Sequence, residues 1–172
     1  MTRICLVGSP EVNLRYELLS RETSREALAT YDLERPFENA LAVRTVSVGG
    51  AVSLLNDLQW YITRFVEEVL VYDPSVSDGE WLSRELAEDL RVGEIEPGET
   101  GEFLKVYGLE TPEVETDGDT GTDGGATAQL RERTRLVEPL YVRRTDGEVP
   151  GYDLRDVSET LVVRLTESEF SP

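Results

Sequence analysis

The sequence predicts an α+β fold, a single mixed β-sheet packed with about four helices. Three observations predict it. Short runs rich in β-branched residues, Arg3-Ile-Cys-Leu-Val7 and Leu41–Val48, stop at glycines and read as strands. Between Ala51 and Val69 the apolar residues recur at steps of three and four, the period of an amphipathic helix. After a glycine-rich acidic stretch, Leu136–Val142 and Thr160–Leu165 again read as strands.

The segment from Leu41 to Asp73 organises the rest. Its helix puts Ala51, Leu54, Leu55, Leu58, Tyr61, Ile62, Phe65 and Val69 on one side. Burial of such a stripe contributes roughly 1.5–3 kcal/mol per large side chain. Trp60, Arg64, Glu67 and Glu68 fall on the other side. Val69–Tyr72, closed by Asp73-Pro74, reads as a strand. Two features here are candidate contacts. Gly49-Gly50 stands between strand and helix, where backbone amides can cradle a phosphate; a tight turn is the plainer reading, because no G-x-G-x-x-G and no P-loop lysine accompany it. Trp60 lies one helical turn from Arg64, a pairing suited to a partner surface, unless another element of the chain covers it.

Upstream, Cys5 reads as a core residue of the first strand. Val12, Leu14, Tyr16 and Leu18 alternate and predict a second strand, with a helix from Pro10 as competitor. Thr23-x-x-Glu26 fits a capping box into a helix through Tyr31. Downstream, Ser77-x-x-Glu80 fits another, with Leu82, Leu86 and Leu90 as its apolar side and Gly93 as its stop. Pro97 opens a further expected helix that carries Phe103–Tyr107 and ends at Gly108. Lys105 lies in it; a desolvated lysine can act as a nucleophile, but no paired group is in view.

Residues 1–112 are expected to form the main body, 113–127 a disordered acidic linker, and 128–172 a β-rich segment that docks on the body as one folding unit. The linker resembles a calcium loop only at Asp117 and Asp119; Gly121 and Thr122 break the pattern, so no metal site is expected. Asp146-Gly147 is a turn signal, and Pro139 implies an edge strand or a bulge. Arginines collect in the last segment. Arg143 and Arg144 could grip a phosphate or carboxylate; pairing with the acidic body is the plainer reading.

The 172 residues carry a formal charge of −18, and all 17 basic residues except Lys105 are arginine. Acid excess with lysine nearly absent fits a molar-salt cytoplasm, where the Debye length falls to about 3 Å and surface carboxylates hold water. The same charge makes nucleic acid an unfavourable partner, and no apolar run reaches a membrane span. One cysteine allows no internal disulfide, and the N-terminus lacks a signal peptide, so a cytoplasmic location is expected. No histidine is present, which removes the usual general base near neutral pH and the ordinary zinc sites.

Five strings, Arg15-Tyr-Glu-Leu-Leu-Ser-Arg-Glu-Thr23, Leu54-Leu-Asn-Asp-Leu58, Trp81-Leu-Ser-Arg-Glu-Leu86, Phe103-Leu-Lys-Val-Tyr-Gly108 and Glu138-Pro-Leu-Tyr-Val-Arg-Arg144, together resemble an uncharacterised family of small haloarchaeal proteins, a domain of unknown function. The resemblance spans nearly the whole chain except the acidic linker. It implies a halophilic cytoplasm and brings no activity, cofactor or site residues. The expected function is a non-enzymatic binding or regulatory module without cofactor, whose partner is another protein or a second copy. The alternative is an enzyme or sensor of a phosphorylated small molecule, built on Gly49-Gly50 and the tail arginines.

Overall fold

The computed structural model describes residues 1–110, 134–144 and 159–171. The expected linker at 113–127 and the Asp146-Gly147 turn lie outside them. The described chain runs β1 (Thr2–Gly8), α1 (Leu14–Leu19), α2 (Glu22–Leu28), β2 (Ala40–Thr45), α3 (Val48–Asp57), α4 (Gln59–Phe65), β3 (Val66–Tyr72), β4 (Trp81–Ser83), α5 (Arg84–Val92), β5 (Phe103–Glu110), β6 (Arg135–Arg143), β7 (Glu159–Leu165) and α6 (Glu167–Phe170). The class is α+β, with six α-helices among the described residues where about four were expected.

Several boundaries moved, each for a local reason. Residues 14–19 are helix, not strand: Asn13 caps the first turn by accepting from the Tyr16 amide. Only Leu14 and Leu18, four apart, are buried, while Tyr16 is 66% exposed, so the alternation carried no burial signal. The Thr23–Glu26 box does not form, since α2 already starts at Glu22. β2 stops at Thr45, and Ser47 caps α3, so Gly49 and Gly50 lie inside its first turn. The expected single long helix breaks at Leu58, just after Asn56 and Asp57, which favour caps and turns over helix interiors. Its apolar stripe survives the break, with Ala51, Leu55, Leu58 and Ile62 all buried. β3 begins at Val66, earlier than expected, so Glu67 and Glu68 are strand residues.

Trp81-Leu82-Ser83 is a short strand rather than a first helical turn. Ser83, not Ser77, caps α5. Gly93, at φ +77°, closes α5 as expected. The expected helix after Pro97 is a 3-10 turn, Pro97–Glu99, followed by β5. Phe103, Lys105, Tyr107 and Leu109 alternate with Leu104, Val106 and Gly108, and that period-two pattern is what the strand uses.

The seven strands form one sheet in the order β2-β1-β3-β4-β7-β5-β6, antiparallel except for β4 with β7. Pro139 lies on the edge strand, where one residue between Val106 and Gly108 faces two of β6, so it occupies a bulge as well. Helices α1 to α5 cover one face, packing on Ile4, Leu6, Val43, Val71 and Leu82. The other face folds on itself: Cys5, Ala42, Leu70, Trp81, Leu161 and Val163 share one cluster with Tyr107 and Leu136 from the far strands. The Glu38 amide donates to the Thr134 carbonyl at 2.7 Å, tying the approach to one edge strand to the approach to the other. The sheet is therefore strongly curled, with an inner face that is almost enclosed. Its outer edge at β2 is shielded by a bridge between Glu34 and Ala42.

Asn39 fastens the mouth of the curl. Its Oδ1 accepts from the Leu14 amide at 2.9 Å, and its Nδ2 donates to the Ser9 and Val12 carbonyls at 3.0 and 2.8 Å. It stands at φ +53°, a conformation asparagine tolerates. A Cβ on Gly8 would lie 2.6 Å from that Nδ2, so only glycine fits there. Asn39→Ala is expected to cost roughly 2–4 kcal/mol in urea unfolding, from lost hydrogen bonds and left-handed strain. Asn39→Asp, which keeps the acceptor for Leu14 but turns a carboxylate oxygen toward the Ser9 and Val12 carbonyls, should not recover the parent stability.

Candidate functional site

Trp60 and Arg64 are brought together by the i, i+4 spacing of α4. The Arg64 guanidinium lies 3.8 Å from the centre of the indole ring, held there by a 3.0 Å bond from Nη1 to the Trp60 carbonyl. A second guanidinium, Arg21 from the α1–α2 junction, sits 5.4 Å from the Trp60 ring and 5.3 Å from Phe65. Glu17 steadies Arg21 at 3.3 Å. Trp60 remains 47% exposed. Other elements of the chain thus flank the indole without covering it. Such exposed cation–aromatic contacts contribute about 0.5–1 kcal/mol each.

Gly49-Gly50 is a different place with a different partner. Ser47 Oγ already accepts from the Gly50 amide at 3.0 Å. A Cβ on either glycine would meet nothing closer than 3.6 Å, so no tight approach requires them. Arg143 and Arg144, adjacent in sequence, part at the end of β6. Arg143 is exposed and pairs with Glu102. Arg144 is largely buried against Glu80 at 2.5 Å, and Arg164 takes the other oxygen of the same carboxylate at 2.7 Å. Arg164 also donates to Thr100 Oγ1 at 2.8 Å. Among the described residues no hydrogen bond or ion pair links Gly49-Gly50 to these arginines.

A cluster that the sequence concealed lies inside the curl. Lys105 Nζ and Tyr107 Oη both donate to Glu68 Oε2. Glu68 is 15% exposed and Lys105 11% at their side chains. The only lysine of the chain is therefore bound to a carboxylate on a strand, not free on a helix. Burial, then the neighbouring Glu68 carboxylate, pushes the Tyr107 phenol well above the usual tyrosine range. Burial also raises the Cys5 thiol to about 12, against a small opposing pull from Arg3, so it is inert near neutral pH. Period two does carry the signal: Glu68 shares a face with Leu70 and Tyr72, as Lys105 does with Phe103 and Tyr107. Read as helices, both segments hid it.

The cluster borders a cleft of about 820 Å³ at the mouth of the curl, lined by Val7, Pro10, Val12, Leu136 and Pro139 on its apolar side and by Arg35, Glu38, Glu67, Glu68 and Tyr107 on its polar side. A second, more polar hollow of about 940 Å³ lies beside Arg144, Arg164 and α6. Among the described residues no group of His, Cys, Asp or Glu is arranged to hold a metal ion. No helix among them is long and apolar enough to cross a membrane.

Removing one partner of a buried pair strands the other, so Lys105→Met is expected to cost about 3 kcal/mol in chemical denaturation. Adding Glu68→Gln to it should restore most of the loss. The raised Tyr107 phenol adds a pH signature. The unfolded chain loses this proton in the ordinary tyrosine range while the native chain keeps it. Stability should then fall as pH rises through that range. Tyr107→Phe should flatten that decline in unfolding curves taken across alkaline pH.

Comparison with known proteins finds no curated protein and no solved structure that matches. The model of a family of unknown function, DUF5804, matches residues 2–109, from β1 almost to the end of β5. That is well over half of the chain, and the protein belongs to this family.

Proposed function

We propose that the protein is a non-enzymatic binding or regulatory module of a high-salt, haloarchaeal cytoplasm, and that its partner is another protein or a second copy of itself. The observation that carries this reading is the half-exposed Trp60 held between Arg64 and Arg21. Tryptophan and arginine are the residue types that most often dominate binding energy at interfaces. Both guanidiniums are already fixed, Arg64 by a backbone carbonyl and Arg21 by Glu17, so little side-chain freedom is left to lose on association. Contact of this kind also tolerates salt. At molar ionic strength exposed charges are screened beyond about 3 Å, whereas stacking acts at contact distance.

Charge supports the same setting. A net −18 with a single lysine, itself turned inward, leaves a surface of carboxylates and arginines. Such a surface repels nucleic acid phosphates. The tail arginines support binding through α4 more than through β6, because Arg144 and Arg164 are engaged with Glu80.

The test is a pull-down from a halophilic host in molar KCl with the parent protein and with Trp60→Ala. The variant should keep its melting temperature and lose about 30-fold or more of its affinity for the retained partner, the mark of a central contact. A variant that unfolds would make Trp60 a core residue; one that keeps the partner would remove this face from the interface.

A further inference from the structure

The cleft beside Glu68 is separate from the Trp60 face, and it combines three features that a purely structural hollow does not need. First, its floor holds an acceptor left open. Lys105 and Tyr107 both spend their donors on Oε2 of Glu68, and no described residue donates to Oε1. Glu68 itself lines the cleft. Second, its rim holds an unengaged cation. Arg35 is exposed and makes no hydrogen bond or ion pair among the described residues. Of the two arginines that line the cleft, Arg135 pairs with Glu110, whereas Arg35 has no carboxylate partner among the described residues. Third, part of its lining is apolar, made by Val7, Val12, Leu136 and Pro139.

An open carboxylate oxygen at the floor, an arginine at the rim and an apolar wall define a complement. Ligand sites commonly occupy the mouths of curled or closed sheets, with a mostly apolar lining and a few convergent polar groups. We infer that this cleft binds a small zwitterion with an apolar body, of the class of free α-amino acids with aliphatic side chains. The ammonium donates to Glu68 Oε1, next to the Glu67 carboxylate. The carboxylate takes the Arg35 fork, which suits two parallel hydrogen bonds. The aliphatic side chain covers Val12 and Leu136. Lys105 has a defined part here: it neutralises one Glu68 oxygen and points the other outward, so that it is a positioning residue and not a nucleophile. A plain organic cation would leave Arg35 without a partner, and a plain acid would meet Glu67 and Glu68 with the wrong sign.

The experiment is a thermal-shift screen of the full-length protein in molar KCl against the twenty amino acids at ~10 mM, a level that reveals even millimolar binders. Titration calorimetry follows with leucine, 3-methylbutylamine and 4-methylpentanoate, which share one aliphatic body and carry both charges, only the amine, or only the acid. Leucine or another aliphatic amino acid should shift the melting temperature, and each single-charge analogue should bind about tenfold weaker or worse. Arg35→Ala should leave the unliganded melting temperature unchanged, since Arg35 is exposed and unpaired, and should reduce leucine to the affinity of the amine. The inference is overturned if no amino acid shifts the protein, if the amine binds as tightly as leucine, or if Arg35→Ala keeps full affinity.

Discussion

The placement of β7 is the constraint on which the rest of this structure depends. The last strand in sequence enters the middle of the sheet, parallel to β4 on one side and antiparallel to β5 on the other. β4 contributes only three residues, and β5 has no other route to the N-terminal strands. In sheet order β7 is the strand that joins the β5–β6 pair to the β2-β1-β3-β4 half. Docking of β7 buries Leu161, Val163 and Leu165 against Cys5, Leu70 and Trp81 and so creates the inner face. Bringing together partners so far apart in sequence costs loop-closure entropy before any contact rewards it. The curl, the cleft at its mouth and the contact of Lys105 with Glu68 all follow from that one insertion.

The inner face then explains why polar groups sit where they do. Glu68 belongs to β3 and Lys105 to β5, three strands apart in sheet order, and they meet only because the sheet turns over on itself. A buried ion pair is weak evidence for stability, since well-packed apolar residues commonly do as well. Keeping the only lysine of the chain in that position is easier to understand as control over a carboxylate beside a cleft. By contrast, Glu80, the residue just before β4, holds Arg144 and Arg164 at once and so joins the start of β4 to the ends of β6 and β7. Arg144 and Arg164 also line the hollow beside α6.

Much of the architecture was legible in the sequence because it follows from side-chain period. β1, β2, β7 and the Ala51–Phe65 stripe are all places where local pattern and tertiary burial agree. The failures share a cause. Val12–Leu18 and Phe103–Gly108 are short segments in which apolar residues satisfy both periods, and there the caps decide. Asn13 caps a helix in the first case. In the second, Pro97 supports only one 3-10 turn, and pairing with β6 and β7 on both sides claims the strand. Likewise Ser77 and Ser83 both precede plausible first turns, and the burial of Trp81 in the sheet selects the later one. The Trp60–Arg64 pair was visible because it is a matter of local helical spacing. The Glu68–Lys105–Tyr107 cluster was not, because it joins residues 37 and 39 apart across a curl that no local pattern encodes.

Salt separates the roles of these charges. Exposed pairs such as Arg143 with Glu102 contribute little in dilute buffer and less at molar ionic strength. Half-buried pairs are screened far less, and two of them tie the C-terminal strands to the body: Arg144 and Arg164 on Glu80. The association of the tail with the body thus rests on apolar contact and sheltered pairs rather than on net attraction between a less acidic tail and a more acidic body. The surface can then carry its large negative charge without loosening the fold. What the surface keeps in strong salt is contact chemistry such as the Trp60 indole against the Arg64 and Arg21 guanidiniums.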